Sequence, residues 1–193
     1  PDINPFFLHD GGRPAFLIRA ALAALLSGLW GMYNGFEVCE SAPLVLNGVE
    51  REEYLDSEKY ELRVRDWKAP GNIVAEISRL NQIRANHPAL QNHLGLRFYH
   101  ASDDSVLYFA RFVPSGAEHA GAFGDDVLLA AISLDPRAPR ETDIELPLWE
   151  WGLPSPTEKS TAHFNYVNSA RDCFLVRNRR LDASPTDSIS RRY

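Results

Sequence analysis

The 193-residue sequence predicts an α/β segment followed by an all-β domain. Three observations carry this. Residues 15–26 are rich in Ala and Leu, apolar on nearly every side, and lead through Ser27-Gly28 into a short apolar run over residues 29–33. A buried helix, a tight glycine turn and a strand without polar alternation make one step of an α/β fold with a parallel sheet. Ile73, Ile77, Leu80 and Ile83 recur at helical spacing, giving a second, amphipathic helix. From about residue 94 the texture changes to aromatic and β-branched runs at 96–100, 106–113 and 127–134, separated by Pro, Gly and Asp clusters. Short strands spaced in this way predict antiparallel β structure.

In order along the chain, Gly11-Gly12-Arg13-Pro14 reads as a loop ending with Pro near a first helical turn, where a missing N–H costs nothing. Gly28 is placed to take the left-handed C′ conformation and stop the helix. Asn34-Gly35-Phe36-Glu37 follows at the C-terminal end of the predicted strand. Residues 39–53 read as a loop containing Pro43 and Asn47-Gly48, and the charge-dense residues 54–65 as a segment with a short helix. Pro70-Gly71 breaks the chain, Asn72 caps the second helix, and that helix stops before Pro88 because the residue preceding a proline disfavours helical geometry. Residues 142–146 alternate apolar and polar as a strand does, and residues 164–167 and 174–176 are further candidates. Beyond Leu181 a solvated, disordered terminus is expected.

Composition narrows the function classes. Hydrophobic residues make up 45% and charged residues 24%, ordinary globular usage, so disorder of the whole chain is excluded. The formal charge of −6 argues against a global nucleic-acid footprint. It conceals an asymmetry: residues 159–193 carry seven Lys/Arg against three Asp, a net +4, and residues 1–158 carry thirteen against twenty-three, a net −10. A solvated terminus explains the basic tail better than a polyanion site. The apolar stretch at 15–30 contains Arg19 and is too short to span a membrane. No secretory signal pattern opens the chain, and Cys39 and Cys173 match no metal or redox spacing, so a reducing, cytoplasmic setting is expected without metal or cofactor.

Individual residues read blandly from spacing alone. Asp2 is a terminal Asp beside Pro1, and Lys59 belongs to a charged face. Glu37 reads as a structural partner for an Arg or a backbone amide rather than a substrate contact. His9 and Asp10 read as a solvated loop, and His87 as a helix C-terminal residue favoured by the dipole. Trp67, Trp149 and Trp151 offer flat apolar faces, with packing the better reading for the pair that flanks Glu150.

Two longer strings change the weighting. Gly28-Leu29-Trp30-Gly31-Met32-Tyr33-Asn34-Gly35-Phe36-Glu37 resembles the last-strand motif of the α-amylase clan, and Ile83-Arg84-Ala85-Asn86-His87-Pro88-Ala89-Leu90 resembles the end of its eighth barrel helix. Within the clan, Pro1-Asp2-Ile3-Asn4-Pro5, Gly12-Arg13-Pro14 and Glu53-Tyr54-Leu55-Asp56-Ser57-Glu58-Lys59-Tyr60-Glu61 resemble the bacterial α-1,4-glucan:maltose-1-phosphate maltosyltransferases. The resemblance is strong over residues 1–112, fair to about 153, and ends near 158.

It implies the C-terminal part of a (β/α)8 TIM barrel over residues 1–93, an antiparallel β-sandwich domain over 94–158, and a divergent end over 159–193. A complete barrel needs about 250 residues, so roughly its last quarter is expected here, in keeping with a start at Pro1. The implied reaction is retaining transfer of maltosyl units from maltose 1-phosphate to α-1,4-glucan in glycogen biosynthesis, by a cytoplasmic homodimer. Asp2 takes the role of the transition-state-stabilising carboxylate, and Lys59 and Tyr60 contact the donor sugar. The nucleophile and the general acid match no residue of this chain, so the chain by itself is expected to be inactive. The alternatives are a non-catalytic carbohydrate-binding or dimerisation module, or a clan hydrolase or trehalose-forming enzyme.

Overall fold

The computed structural model describes residues 3–55, 62–113, 126–147 and 150, with the backbone of two further strands at 163–166 and 173–178. Helix α1 spans Phe6–Leu26 and is broken at Gly12, whose φ of 55° and ψ of −154° lie outside the helical region. Pro14 therefore falls in the first turn after the break, as the sequence predicts. Helix α2 spans Val74–Asn86 and turns Ile77, Leu80 and Ile83 inward with Ile73. Its N-cap is Ile73 rather than the expected Asn72, which precedes the cap and accepts the Val74 N–H on its Oδ1 at 3.1 Å. A 3-10 turn at Pro88–Leu90 follows, as the proline requires.

Between the helices lies a β-hairpin where the sequence predicts a loop. Strand β1 is Pro43–Leu46 and β2 is Val49–Tyr54, antiparallel, with Leu46 opposite Val49. The two-residue connection is Asn47-Gly48, with φ of 53° and 76°. Positive φ at both central residues is the type I′ geometry that Asn-Gly favours. The predicted short helix over 54–65 is not found among its described residues: Tyr54 ends β2, and residues 62–65 are neither helix nor strand.

Strands β3 (Leu96–Tyr99), β4 (Val106–Phe112), β5 (Val127–Ser133), β6 (His163–Tyr166) and β7 (Cys173–Asn178) form one antiparallel sheet in the order β3-β4-β5-β7-β6. The molecule is thus an α/β structure with two antiparallel sheets. β5 is central and buried throughout, which is why its sequence is a continuous apolar run. Period-two alternation divides the two faces. Phe109, Leu128, Ala130 and Ile132 join the side chains of α1 and α2 in one core. Tyr108, Ala110, Val127, Leu129 and Ala131 form a second, under Ile144 and Leu146. Ile144 makes only an isolated bridge to Ala101, so the strand expected over 142–146 shrinks to a single pairing.

Two expectations near the end of α1 are corrected. Gly28 does not adopt a left-handed conformation. The last carbonyls of α1 are satisfied instead by two arginines. Arg84 donates to the carbonyls of Ala24, Ser27 (2.8 Å) and Gly28 (2.6 Å), and Arg111 donates to Leu26 O at 2.6 Å. Glycine is required at 28 for space: a Cβ there would lie 2.9 Å from the carbonyl carbon of Asn92. Residues 29–33, predicted as a strand buried on both faces, form no strand, and Leu29 is 87% exposed. A strand requires neighbours for its backbone groups, and none of the described strands flanks this segment.

Candidate functional site

The site grows from the Tyr54 end of the β1–β2 hairpin. Ile3 pairs with Glu53 in an antiparallel bridge, and Asn4 N–H donates to Glu52 O at 2.9 Å. The Asn4 side chain is fully buried and donates from Nδ2 to Ser41 O at 3.1 Å, on the segment leading into β1. Glu52 also accepts the Phe6 N–H at 3.0 Å through its side chain. The first described residues are therefore tied to β2 and to the segment leading into β1. Asp2 itself lies outside the described residues, and its covalent neighbour Ile3 is the first of this anchored pair.

The same end of β2 continues in sequence toward Lys59 and Tyr60, which also lie outside the described residues. The backbone on either side is held. Leu55 N–H donates to Ala42 O at 2.9 Å, and Arg63 donates to Leu55 O at 2.7 Å and to Glu40. Glu40 also accepts from Arg65 Nε at 2.8 Å, and its side chain is only 12% exposed. Two guanidinium groups on one shielded carboxylate form charge-assisted bonds that fix both entering and leaving backbone. The described neighbours of the sequence-predicted site residues thus meet at one hairpin: Ile3 and Asn4 against β2, and Leu55 and Arg63 at its end.

Tyr33, from the Tyr-x-Gly-x-Glu string, closes this corner. Its ring stacks on Tyr54 with centroids 4.5 Å apart and planes 9° from parallel, and the Arg65 guanidinium lies 5.7 Å above it. Burial first, then the Glu40 charge, pushes the Tyr54 phenol up to about 12, so it remains a neutral donor at physiological pH. The pair walls an open cleft of about 770 Å³, mostly apolar and lined by Ile3, Leu8, Ala20 and Phe36 among others, with Arg19 and Ser27 on its wall.

The remaining candidates are structural. Glu37 accepts the Gly35 N–H at 3.1 Å through its side chain, the backbone-amide role read from the sequence. His87 caps α2, and its Nδ1 lies 2.7 Å from Asp126, which also accepts the Ala89 N–H at 2.8 Å. His9, expected in a solvated loop, is instead in α1, with a side chain only 5% exposed and edge-on to Phe6 at 5.3 Å. Asp10 is in the same helix. Trp67 is 47% exposed, away from the stacked pair's lining, and Trp149 and Trp151 lie outside the described residues. Burial raises the Cys39 thiol to about 11. Among the described residues no group of three His, Cys, Asp or Glu side chains could hold a metal ion, and no helix is long and apolar enough to cross a membrane. Glu40, Arg63 and Arg65 were not singled out by sequence reasoning. Arg63 and Arg65 signal themselves only as charge crowding after Lys59-Tyr60, which a solvated face shares, and Glu40 lies apart from it in sequence.

No family model matches the chain. Individual relatives do. Over 154 residues, 80% of this chain, it is 57% identical to the alpha-1,4-glucan:maltose-1-phosphate maltosyltransferase of Pseudomonas aeruginosa. It is 55% identical over 146 residues to that of Burkholderia pseudomallei, and 44% identical over 153 residues to that of Rhodospirillum rubrum. The matched stretch is 21%, 12% and 20% of these relatives, so the chain spans about a fifth of their length or less. Over about four fifths of its own length, the chain belongs with the C-terminal portion of the alpha-1,4-glucan:maltose-1-phosphate maltosyltransferase family.

Proposed function

We propose that this chain forms part of a retaining glycosyltransferase that moves maltosyl units from maltose 1-phosphate to the non-reducing ends of α-1,4-glucans, in glycogen or α-glucan synthesis. The observation that carries this is the 57% identity to a maltosyltransferase over 154 residues. The meeting of Ile3 and Asn4, Tyr33, and Tyr54, the described residues of the strings that carry the resemblance, at one hairpin supports it. Residues 1–93 contribute the last part of the (β/α)8 barrel. The apolar cleft beside residues 29–33, with Leu29 turned outward, supports this, because it is a surface suited to barrel neighbours. Residues 94–158 contribute the β-sandwich domain and 159–193 its divergent end.

Retention requires a carboxylate nucleophile and a second carboxyl acting as acid and then base, about 5 Å apart. Neither is assigned to a residue of this chain. Asp2 supplies the third carboxylate, binding sugar hydroxyls and opposing the positive charge that develops in the transition state. Lys59 offers three N–H donors, and Tyr60 a flat face with a polar tip, to the donor sugar. The parent enzyme works as a cytoplasmic homodimer without metal or cofactor.

The test uses a full-length enzyme carrying this sequence as its C-terminal portion. Mixing it with maltose 1-phosphate and glycogen should release phosphate and lengthen the glucan by two-glucose steps with α linkage. Free maltose or trehalose as the product would replace the transferase reading with a hydrolase or trehalose-forming one. The isolated chain should release no phosphate, and turnover by it would overturn the assignment of nucleophile and acid to other segments. Sedimentation of the full-length enzyme tests the dimer.

A further inference from the structure

We propose that a second cleft, between the start of α1 and the turns at one end of the five-stranded sheet, holds a stretch of α-1,4-glucan apart from the hairpin cleft. This rests on the reading above that the parent enzyme acts on α-1,4-glucan. The second cleft encloses about 570 Å³, within the range of about 300–1,000 Å³ usual for small-molecule sites, which gather where domains meet. One wall is helical and precedes the break at Gly12. Phe6, Phe7, Asp10 and Gly11 face the cleft at helical spacing, whereas Ile3, Pro5 and Leu8 line the hairpin cleft. The two clefts share no lining residue. The opposite wall comes from the β3–β4 turn and the segment after β5. The Leu134 N–H donates to Ser105 O at 2.7 Å and joins the two. The Asp135 carboxylate accepts the Arg137 N–H at 2.8 Å and Arg140 Nε at 3.0 Å. At one edge the walls nearly touch: a Cβ added to Gly11 would lie 3.3 Å from the Pro136 side chain. A wall already fixed in this way spares a ligand the cost of ordering it.

The chemistry of the lining fits a neutral polyol. Phe6 is 49% exposed and, with Phe7 and Leu134, offers apolar surface to the C–H face of a sugar. Asp135 and Arg140 satisfy each other across the wall. Asp10 and Asp104 are exposed, and their carboxylates form no hydrogen bond or ion pair with the described residues. A carboxylate only accepts, so both call for O–H donors such as sugar hydroxyls. Two open carboxylates also repel a phosphate, which disfavours maltose 1-phosphate at this place. Among the described residues no group of three acidic, His or Cys side chains could hold a metal ion, so the carboxylates are not gathered for one. A polymer held at two places on one enzyme gains avidity, and an acceptor too short to reach both gains none. The cleft therefore acts on glycogen and not on a short maltooligosaccharide.

The experiment uses a full-length enzyme carrying this sequence as its C-terminal portion. Asp104→Ala removes one open carboxylate, and Asp104→Arg puts a long cation into the cleft. Residue 104 is exposed in a turn, so both variants should fold. Retardation in native gels containing glycogen reports binding without turnover. Kinetics with maltose 1-phosphate compare glycogen and maltotetraose as acceptors. The expected result for Asp104→Arg is weaker retardation and a rise in KM for glycogen of about 10-fold, with a smaller rise for Asp104→Ala. For maltotetraose, kcat and KM should stay at the parent values in both. Three results would overturn the inference: a parent that glycogen does not retard; unchanged retardation and KM for glycogen in Asp104→Arg, as when another part of the enzyme covers the cleft; or an equal loss with both acceptors, which assigns residue 104 to the fold or to the hairpin site. A parent that glycogen retards but that yields free maltose or trehalose would instead remove the transferase reading and leave the second site in place, and the two failures are thereby distinguished.

Discussion

Replacing Arg111 by Met tests how the end of α1 is held. Arg111 is fully buried on the helix-facing side of β4, and its guanidinium serves three carbonyls: Leu26 O at 2.6 Å, Ala89 O at 3.2 Å, and Asn92 O. Met fills similar volume and donates to none of them. Leaving a buried acceptor unpaired costs about 1–3 kcal/mol. The Ala89 bond is fully buried, whereas those to Leu26 and Asn92 are partly buried, so water recovers part of their loss. Two terms act in the other direction. Burial, then the nearby Arg84 charge, disfavour the charged form of Arg111, and both penalties vanish with the side chain. The balance is a destabilisation of about 2–4 kcal/mol. In urea unfolding followed by tryptophan fluorescence, the midpoint should fall while the slope stays constant. Arg111→Lys should lie between, because one ammonium cannot span three divergent carbonyls. Combining Arg111→Met with Arg84→Met should cost less than the two changes separately, since both arginines serve the same helix end. A stability for Arg111→Met within about 0.5 kcal/mol of the parent, the range of an ordinary surface change, would refute the claim that these bonds hold α1.

Other expectations follow the same logic. Glu40→Gln should loosen both Arg63 and Arg65 and destabilise by about 1–3 kcal/mol, and raise KM for maltose 1-phosphate in a full-length enzyme; unchanged stability and KM would show that neither arginine relies on the carboxylate. Gly48→Ala should cost about 1–2 kcal/mol from the positive φ of 76° alone, because an added Cβ meets nothing within 4 Å, and a neutral result in thermal unfolding would contradict the turn geometry. Glu150 accepts from Tyr99 Oη at 2.8 Å and Arg97 at 2.6 Å, and these bonds hold its carboxyl below the usual range. A depressed folded-state value stabilises above the unfolded value of 4.5 and is lost as pH falls through the folded one. The stability gap between parent and Glu150→Gln should therefore be present at pH 7 and close in acid; a gap that widens on acidification would reverse the sign of this argument.

Much of the fold was legible because its residues announce themselves through periodicity. Ile77, Leu80 and Ile83 of α2 recur at helical spacing with Ile73 at its N-cap, and all four are buried. β5 reads as an uninterrupted apolar run because both of its faces are covered. What was lost depended on partners distant in sequence. Residues 29–33 have the composition of a buried strand, but composition carries no information about whether neighbouring strands are at hand. The hairpin was hidden for a different reason. Its Asn-Gly turn is a strong local signal, but β2 is Val49–Tyr54 with five of its six residues exposed, so hydrophobic alternation was absent.

The candidate site divides along the same line. The Tyr54 and Lys59-Tyr60 string and the Pro1-Asp2-Ile3 string were recognisable as words, whereas the scaffold joining them was not. Glu40, Arg63 and Arg65 carry charges indistinguishable in sequence from a solvated face, and only the fold shows Glu40 shielded and shared between two guanidiniums. Arg111 is the clearest case. Alternation along β4 places it on the same face as Leu107 and Phe109, toward the helices, where sequence reasoning expects an apolar residue. That local inconsistency was the available signal. A cation at an inward position of a strand requires acceptors inside, and the last carbonyls of a helix, which have no partner within it, supply them. Arg84 sits on α2 at the same helix end, so the two arginines replace the glycine cap predicted at Gly28. That residue is left to provide the close approach to the Asn92 backbone, where a Cβ would lie 2.9 Å from the carbonyl carbon.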